Sequence, residues 1–142
     1  MMISVIDGQG GGIGKSIIGK LRKFINKDMG ITICALGTNS TATNNMIKAG
    51  ADMGATGENA IVHSVNNSNI ILGPIAIIAA NSMLGELTPA MAAAVSSCSA
   101  QKILIPLNRC NIAIALELGN TTDTYIDNGI KMVMDYLNKE VK

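Results

Sequence analysis

The sequence is poor in aromatic and charged side chains. Its 142 residues include one phenylalanine, two tyrosines and no tryptophan, and only 15% of them are charged. The net charge is +1, so the chain offers neither the basic surface nor the stacking rings on which nucleic-acid binding depends. Hydrophobic residues make up 48%, which is typical of a globular protein. We therefore expect no nucleic-acid partner.

Patterns for metal binding, disulfides and membrane insertion are also missing. Cys34, Cys98 and Cys110 form no CxxC pair, and His63 is the only histidine, so we expect free thiols and no metal site. The most apolar stretch, residues 70–84, contains proline and asparagine and falls short of the ~20 residues of a membrane helix. The first residues do not resemble a secretory signal. These features predict a cytoplasmic protein without a membrane span.

Apolar runs alternate between strand-like and helical spacing, which predicts one α/β domain over residues 1–142. The predicted strands cover residues 3–6, 31–36, 69–72, 102–107 and 112–118. The predicted helices cover residues 13–25, 42–49, 57–65, 75–84 and 88–97; Gly30 closes the first, and the last of these has Thr88 as N-cap and Pro89 as its first residue. A further helix, capped by Asp123, carries the apolar stripe Ile126, Ile130, Val133, Leu137 and Val141. This alternation predicts a Rossmann-like three-layer α/β/α fold with a mostly parallel sheet of about five strands.

A glycine-rich segment joins the first strand to the first helix. It reads Asp-Gly-Gln-Gly-Gly-Gly-Ile-Gly-Lys-Ser over residues 7–16. The first N–H groups of a helix are unpaired and partly positive, and glycine lets an anion approach them, so the segment predicts a phosphate site. The expected contacts are Asp7, Gly8, Gln9, Gly10, Gly11, Gly12, Ile13, Gly14 and Lys15. The alternative is a tight strand–helix turn that binds nothing.

The glycine spacing favours a dinucleotide. Gly8, Gly12 and Gly14 fit G-x-x-x-G-x-G, which resembles the cofactor loop of short-chain dehydrogenases and implies NAD(P). Other parts of that family's apparatus are missing, since neither Tyr125 nor Tyr136 is followed by lysine four residues later. No acid for an adenosine ribose follows the second strand. A complete dehydrogenase of that type is therefore not expected.

A P-loop is the competing interpretation. Gly14-Lys15-Ser16 matches the end of G-x-x-x-x-G-K-[ST], which would bind ATP or GTP with magnesium through Lys15 and Ser16. However, Gln9 stands in place of the first P-loop glycine. The loop is also similar to the deviant P-loop of the MinD-like ATPases, but Gly10 replaces their signature lysine. Because the later strands, which end at Gly37, Gly73 and Asn108, supply no acid that would hold the metal, nucleotide hydrolysis is the weaker hypothesis.

Other predicted strand ends supply the rest of a candidate site. In an open parallel sheet, ligands lie beyond the carboxyl ends of the strands. Thr38 and Asn39 follow the second strand and would bind ribose hydroxyls, or they form only a polar turn. Asn108 and Arg109 follow the fourth strand, where the arginine would pair with a phosphate or carboxylate.

Five segments together, residues 5–15, 37–39, 49–52, 55–60 and 105–110, resemble a family of short bacterial proteins catalogued as a domain of unknown function. The resemblance implies a small stand-alone cytosolic protein with a Rossmann-like core and no assigned reaction. Our first hypothesis is a binding module or sensor for NAD(P) or a related nucleotide. A minimal NAD(P)-linked oxidoreductase, a P-loop NTPase and an empty turn stay as alternatives. Apolar surface over residues 75–95 also predicts a homodimer.

Overall fold

The protein is a parallel sheet covered by helices on both faces. Its structure is a computed structural model that describes residues 1–107, 110–116 and 119–140. Within these residues the strands are β1 (Met2–Asp7), β2 (Thr32–Gly37), β3 (Met53–Thr56), β4 (Ile70–Pro74) and β5 (Gln101–Ile105). The α-helices are α1 (Gly12–Leu21), α2 (Ser40–Lys48), α3 (Glu58–Ser64), α4 (Pro89–Ser97) and α5 (Thr122–Glu140). The expected three-layer α/β class is confirmed.

The strand order of the sheet is β3-β2-β1-β4-β5, and all four strand pairs are parallel. The chain runs outward from β1 to β2 and β3, then returns to the other side of β1 to form β4 and β5. The direction of winding therefore reverses between β1 and β4. In open parallel sheets such a reversal leaves a crevice at the carboxyl ends of the two strands, where ligands bind.

Alternate residues of the central strands face two separate cores. Ile3 and Val5 of β1 pack with α1, α2 and α5 on one face, while Ile6 packs with α3 and α4 on the other. All three side chains are fully buried. Burial on both faces explains why these strands are almost continuously apolar in sequence.

Helix α4 begins where its sequence signals indicate. The Thr88 hydroxyl accepts a hydrogen bond from Met91 N at 3.2 Å, and Pro89 occupies the first turn, where a missing N–H costs nothing. In α5, the expected stripe Ile126, Ile130, Val133 and Leu137 is buried, whereas Val141 lies outside the described residues. Asp123 lies inside α5 and is not its cap, since the Thr121 hydroxyl accepts the Thr124 N–H at 3.2 Å.

The predicted fifth strand is wrong over residues 112–116, which form no strand, while residues 117 and 118 lie outside the described residues. The strand that the sequence did not predict is β3, which lies at the edge of the sheet beside β2. Met53, Gly54 and Thr56 of this strand are exposed, and Ala55 is half-buried. The segment lacks an apolar face, so its sequence gives no strand signal, and backbone pairing with β2 places it in the sheet.

The predicted helix over residues 75–84 is also wrong. A short 3₁₀ turn, Ile75–Ile78, follows β4, and turns continue to Glu86. Asn81, Met83 and Leu84 have left-handed backbone dihedrals, with φ between 56° and 62°, which a right-handed helix does not admit. Similarly, α1 ends at Leu21, and the left-handed Gly30 ends a separate 3₁₀ turn, Lys27–Met29.

The apolar residues on which the homodimer prediction rests are mostly used inside the chain. Ile77, Leu87 and Val95 are fully buried in the core against α3 and the sheet. Of the large side chains in this segment, Ile78 and Leu84 stay exposed. The homodimer stays a prediction, and the exposed apolar surface that supports it is smaller than the sequence indicated. No helix in the three described ranges combines the length and hydropathy that crossing a bilayer requires.

Candidate functional site

The glycine segment forms a tight turn between β1 and α1. Gly11 has a φ of 70° and is the N-cap of α1, and its N–H donates to Gly8 O at 2.9 Å. A Cβ atom on Gly11 would lie 2.7 Å from Cα of Ala42 in α2. Both the left-handed backbone and the approach of α2 therefore require glycine here.

Asp7 holds this turn from inside. Its side chain is only 5% exposed, and its two carboxylate oxygens accept hydrogen bonds from Gly8 N and Gly14 N, each at 2.8 Å. Burial raises the pKa of Asp7, while the backbone N–H groups of Gly14, Gly8 and Ile13 oppose that rise. The Asp7 side chain therefore already accepts one N–H group of the first turn of α1, that of Gly14.

Gly10 and Gly12 present the open part of the turn. A Cβ atom on either residue would meet no other atom within 4 Å. Within the described chain, neither backbone N–H donates a hydrogen bond to another residue. The carbonyl oxygens of Gln9 and Gly10 are held by Asn39 Nδ2 and Asn45 Nδ2, both at 2.9 Å. The turn is thus fixed from the start of α2, while the N–H groups of two exposed glycines have no partner in the described chain.

A cleft of about 590 Å³ opens beside the turn, where the winding of the sheet reverses. This volume lies within the range of small-molecule sites. The cleft is lined by Asp7 and Ile13 on the β1 side, by Pro74 at the end of β4, and by Leu107 after β5. More of its wall is apolar than polar, and the polar side chains that line it are Asp7, Gln9, Asn81, Ser82 and Asn111.

Unusual backbone conformations gather around this cleft. Six non-glycine residues in the described chain have positive φ, and all six line the cleft: Gln9, Asn81, Met83, Leu84, Cys110 and Asn111. A left-handed conformation costs a non-glycine residue about 1–2 kcal/mol, and such strain is typically kept at functional sites. Their concentration on one cleft favours a functional role over a chance packing gap.

Residues 79–87, here called the strap, cover the turn on its β2 side. Within the strap, Asn81 N donates a hydrogen bond to Leu87 O at 2.8 Å. The Ser82 hydroxyl joins the strap to the preceding 3₁₀ turn by donating to Ala76 O at 2.6 Å. Met83 lies directly over Gly8, since a Cβ atom on Gly8 would be 2.5 Å from the methionine sulfur. The strap therefore forms part of the cleft wall.

Glu86 joins the strap to the loops after β1 and β2. Its Oε1 atom accepts hydrogen bonds from Gln9 N at 3.0 Å, Thr38 Oγ1 at 2.8 Å and Asn39 Nδ2 at 2.6 Å. Burial acts to raise the pKa of Glu86, but these three hydrogen bonds outweigh it and hold the pKa below its ordinary value of 4.5. Glu86 is therefore ionised at neutral pH.

Sequence reasoning missed Glu86, because the residue lies between the helices predicted over residues 75–84 and 88–97 and no motif includes it. It did select the residues that Glu86 binds. Thr38 and Asn39 lie at the end of β2 as expected, and Asn39 Oδ1 also caps α2 by accepting Ala42 N at 2.9 Å. Their donors are thus engaged within the chain.

The remaining candidates are distributed differently. Lys15 lies exposed on the first turn of α1, and His63 lies exposed on α3. Asn108 and Arg109 lie outside the described residues, while Leu107 and Cys110 line the cleft. Throughout residues 1–107, 110–116 and 119–140, no group of three or more His, Cys, Asp or Glu side chains is placed to hold a metal ion.

Comparison with models of known protein families assigns the chain to one of them. The family model described as "Domain of unknown function (DUF3842)" matches residues 2–138. The chain belongs to this family. Its match includes the glycine turn, the strap and all five strands. A comparison with curated proteins found no significant match.

Proposed function

We propose that this protein binds a phosphorylated nucleotide in the cleft beside the glycine turn, as a binding module or sensor. The observation that carries the proposal is that the glycine turn lines a cleft through Gln9 and Ile13, at the point where the sheet reverses its winding. Between these two residues in the chain lie Gly10 and Gly12, which are exposed and whose N–H groups have no partner in the described residues. A phosphate group would accept hydrogen bonds from these N–H groups. The rest of the ligand would lie against Ile13, Pro74 and Leu107.

NAD(P) is the first candidate ligand. The G-x-x-x-G-x-G spacing supports it, and the cleft has room for one nucleotide half beside the turn. The other half fits less well, because Met83 lies over Gly8 and Glu86 occupies the β2 side, where an adenosine ribose would lie. When bound, NAD(P) would supply hydride transfer, for which the described chain offers binding and orientation of the ligand.

A thermal-shift panel tests this proposal. NAD, NADP, ATP and GTP are added singly to the wild-type protein, with and without magnesium. We expect a dinucleotide to raise the melting temperature without magnesium, because a ligand bound only by the folded state stabilises it. A magnesium-dependent shift with ATP or GTP alone would support the P-loop alternative. No shift with any ligand would favour an empty turn and contradict the proposal.

Gly12→Val is expected to abolish nucleotide binding without unfolding the protein. The added side chain meets no atom of the protein within 4 Å at its Cβ position, so it would project into the space proposed for the phosphate. Isothermal titration with the ligand found in the panel would measure the loss. Gly19→Val is the matched control, since Gly19 lies in the same helix and its Cβ position is equally open. Unchanged affinity in Gly12→Val would overturn the proposed phosphate position.

Lys15→Ala separates the two loop types. Lys15 is exposed on α1, and a dinucleotide held by backbone N–H groups does not depend on its ammonium group. We therefore expect little change in NAD(P) affinity. A P-loop, in contrast, uses this lysine on the outer phosphates, so a large loss of ATP or GTP affinity in the same titration would support the NTPase alternative.

A further inference from the structure

Three hydrogen-bond donors from two different loops converge on one point at the β2 side of the glycine turn. They are Gln9 N, Thr38 Oγ1 and Asn39 Nδ2, and all three reach a single oxygen of Glu86 within 3.0 Å. Convergent donors of this kind form an anion site. Here the site already holds an anion, which comes from the strap and is remote in sequence. We call these three donors the β2-side anion site.

The Glu86 carboxylate is the polar link that holds the strap over the turn. In the described part of the chain, each hydrogen bond between the strap and the loops after β1 and β2 ends on this carboxylate. The other hydrogen bonds of the strap stay within residues 76–87. Movement of the strap would therefore break one cluster of contacts and leave its internal hydrogen bonds intact.

The strap also separates two spaces that lie along one edge of the sheet. Met83 lines the cleft on the β4 side, whereas Thr38, Asn39 and Glu86 lie beyond the strap at the end of β2. An extended dinucleotide crosses the carboxyl edge of such a sheet on both sides of the reversal point. The closed strap interrupts that path. Three of its residues, Asn81, Met83 and Leu84, keep left-handed dihedrals, and the Leu84 side chain is 99% exposed.

We propose that Glu86 is a displaceable internal anion, and that the β2-side anion site takes a phosphate group on the adenosine ribose of the bound nucleotide. This inference rests on the proposed function. The three donors are neutral and suit a phosphate monoester, whereas Glu86 left in place would repel one. Once Glu86 moves away, residues 36–39 leave no acid at the end of β2. The ligand class is thus a 2′-phosphorylated dinucleotide, and the strap opens to admit it.

Glu86→Ala tests the inference. The variant removes the competing carboxylate, so NADP is expected to bind about 10- to 100-fold more tightly than to the wild type, because displacing a charged hydrogen-bonded group no longer reduces its affinity. NAD, which lacks the 2′-phosphate, is expected to gain less. Isothermal titration with NADP and NAD, and with 2′,5′-ADP and 5′-AMP as fragment probes, measures the difference.

A second substitution checks that the gain comes from the donors. Thr38→Val, made in the Glu86→Ala protein, removes one donor with little change of shape and is expected to reverse part of the NADP gain while NAD affinity stays the same. Hydrogen exchange supplies a readout independent of affinity. Glu86→Ala, and NADP added to the wild type, should each raise amide exchange in the strap.

The outcomes are distinct. If Glu86→Ala loses NAD affinity, Glu86 binds ribose hydroxyls and the inference is wrong. Equal affinities in wild type and variant also contradict it. In both cases a loss of binding in Gly12→Val would leave the proposed function standing. If neither protein binds any of the four probes, the proposed function and the inference fail together.

Discussion

Gly11→Ala is expected to lower the free energy of unfolding by about 2 to 5 kcal/mol. Two costs add at this position. A left-handed backbone disfavours any residue with a Cβ atom by about 1–2 kcal/mol, and Gly11 has a φ of 70°. The new methyl group would also lie 2.7 Å from Cα and 3.0 Å from O of Ala42, which are backbone atoms that do not rotate away. Urea unfolding followed by circular dichroism measures the loss.

The neighbouring glycine is the control for Gly11→Ala. Gly12 is the first residue of α1, its backbone is not left-handed, and a Cβ atom there contacts nothing within 4 Å. Gly12→Ala is therefore expected to leave stability unchanged or to raise it by about 0.5–1 kcal/mol. If the two variants were equally stable, the turn would not have the conformation described here.

Asp7→Ala is expected to destabilise the protein by about 2 to 6 kcal/mol, because it leaves two buried donors without an acceptor at a cost of about 1–3 kcal/mol each. The donors are Gly8 N and Gly14 N, both of which now bind the Asp7 carboxylate at 2.8 Å. Asp7→Asn keeps the shape and one good acceptor, so about half of the loss is expected. Urea unfolding of the three proteins at neutral pH measures the order.

The pH dependence of stability identifies Asp7 separately. Burial holds the folded pKa of Asp7 above its ordinary value of 3.8. The folded state therefore binds this proton more tightly than the unfolded chain does. The corresponding stability is complete below pH 3.8 and is lost as the pH rises through the folded pKa. The stability of the wild type relative to Asp7→Asn should fall across that window. A difference that is constant with pH would contradict the raised pKa.

Much of the fold was predictable from sequence because local chemistry and the tertiary structure agree. The central strands β1, β2 and β4 are apolar on both sides and are buried between two layers of helices. Capping residues such as Thr88 act within one helical turn and need no distant partner. The N-cap Gly11 follows the same rule, since its left-handed backbone favours glycine whatever the rest of the chain does.

The errors share a different cause. Edge strand β3 has little apolar surface, and it exists because β2 offers an open row of backbone groups. The segment over residues 75–84 has helical composition, yet burial of Ile77 on the sheet and closure of the strap by Asn81 and Leu87 turn it away from a helix. In both places long-range packing overrides local propensity.

The sequence alone determined the glycine turn, the parallel class of the sheet and the polar residues Thr38 and Asn39 at the end of β2, because each depends on neighbours along the chain. Only the tertiary structure decided how these parts are used. It placed the Asp7 carboxylate under the turn and Glu86 on Thr38 and Asn39, and it left Gly10 and Gly12 exposed, with no partner for their N–H groups in the described chain. The contacts of Glu86 join residues that are far apart in sequence, so these partners are fixed by how the strands and the strap are arranged in space.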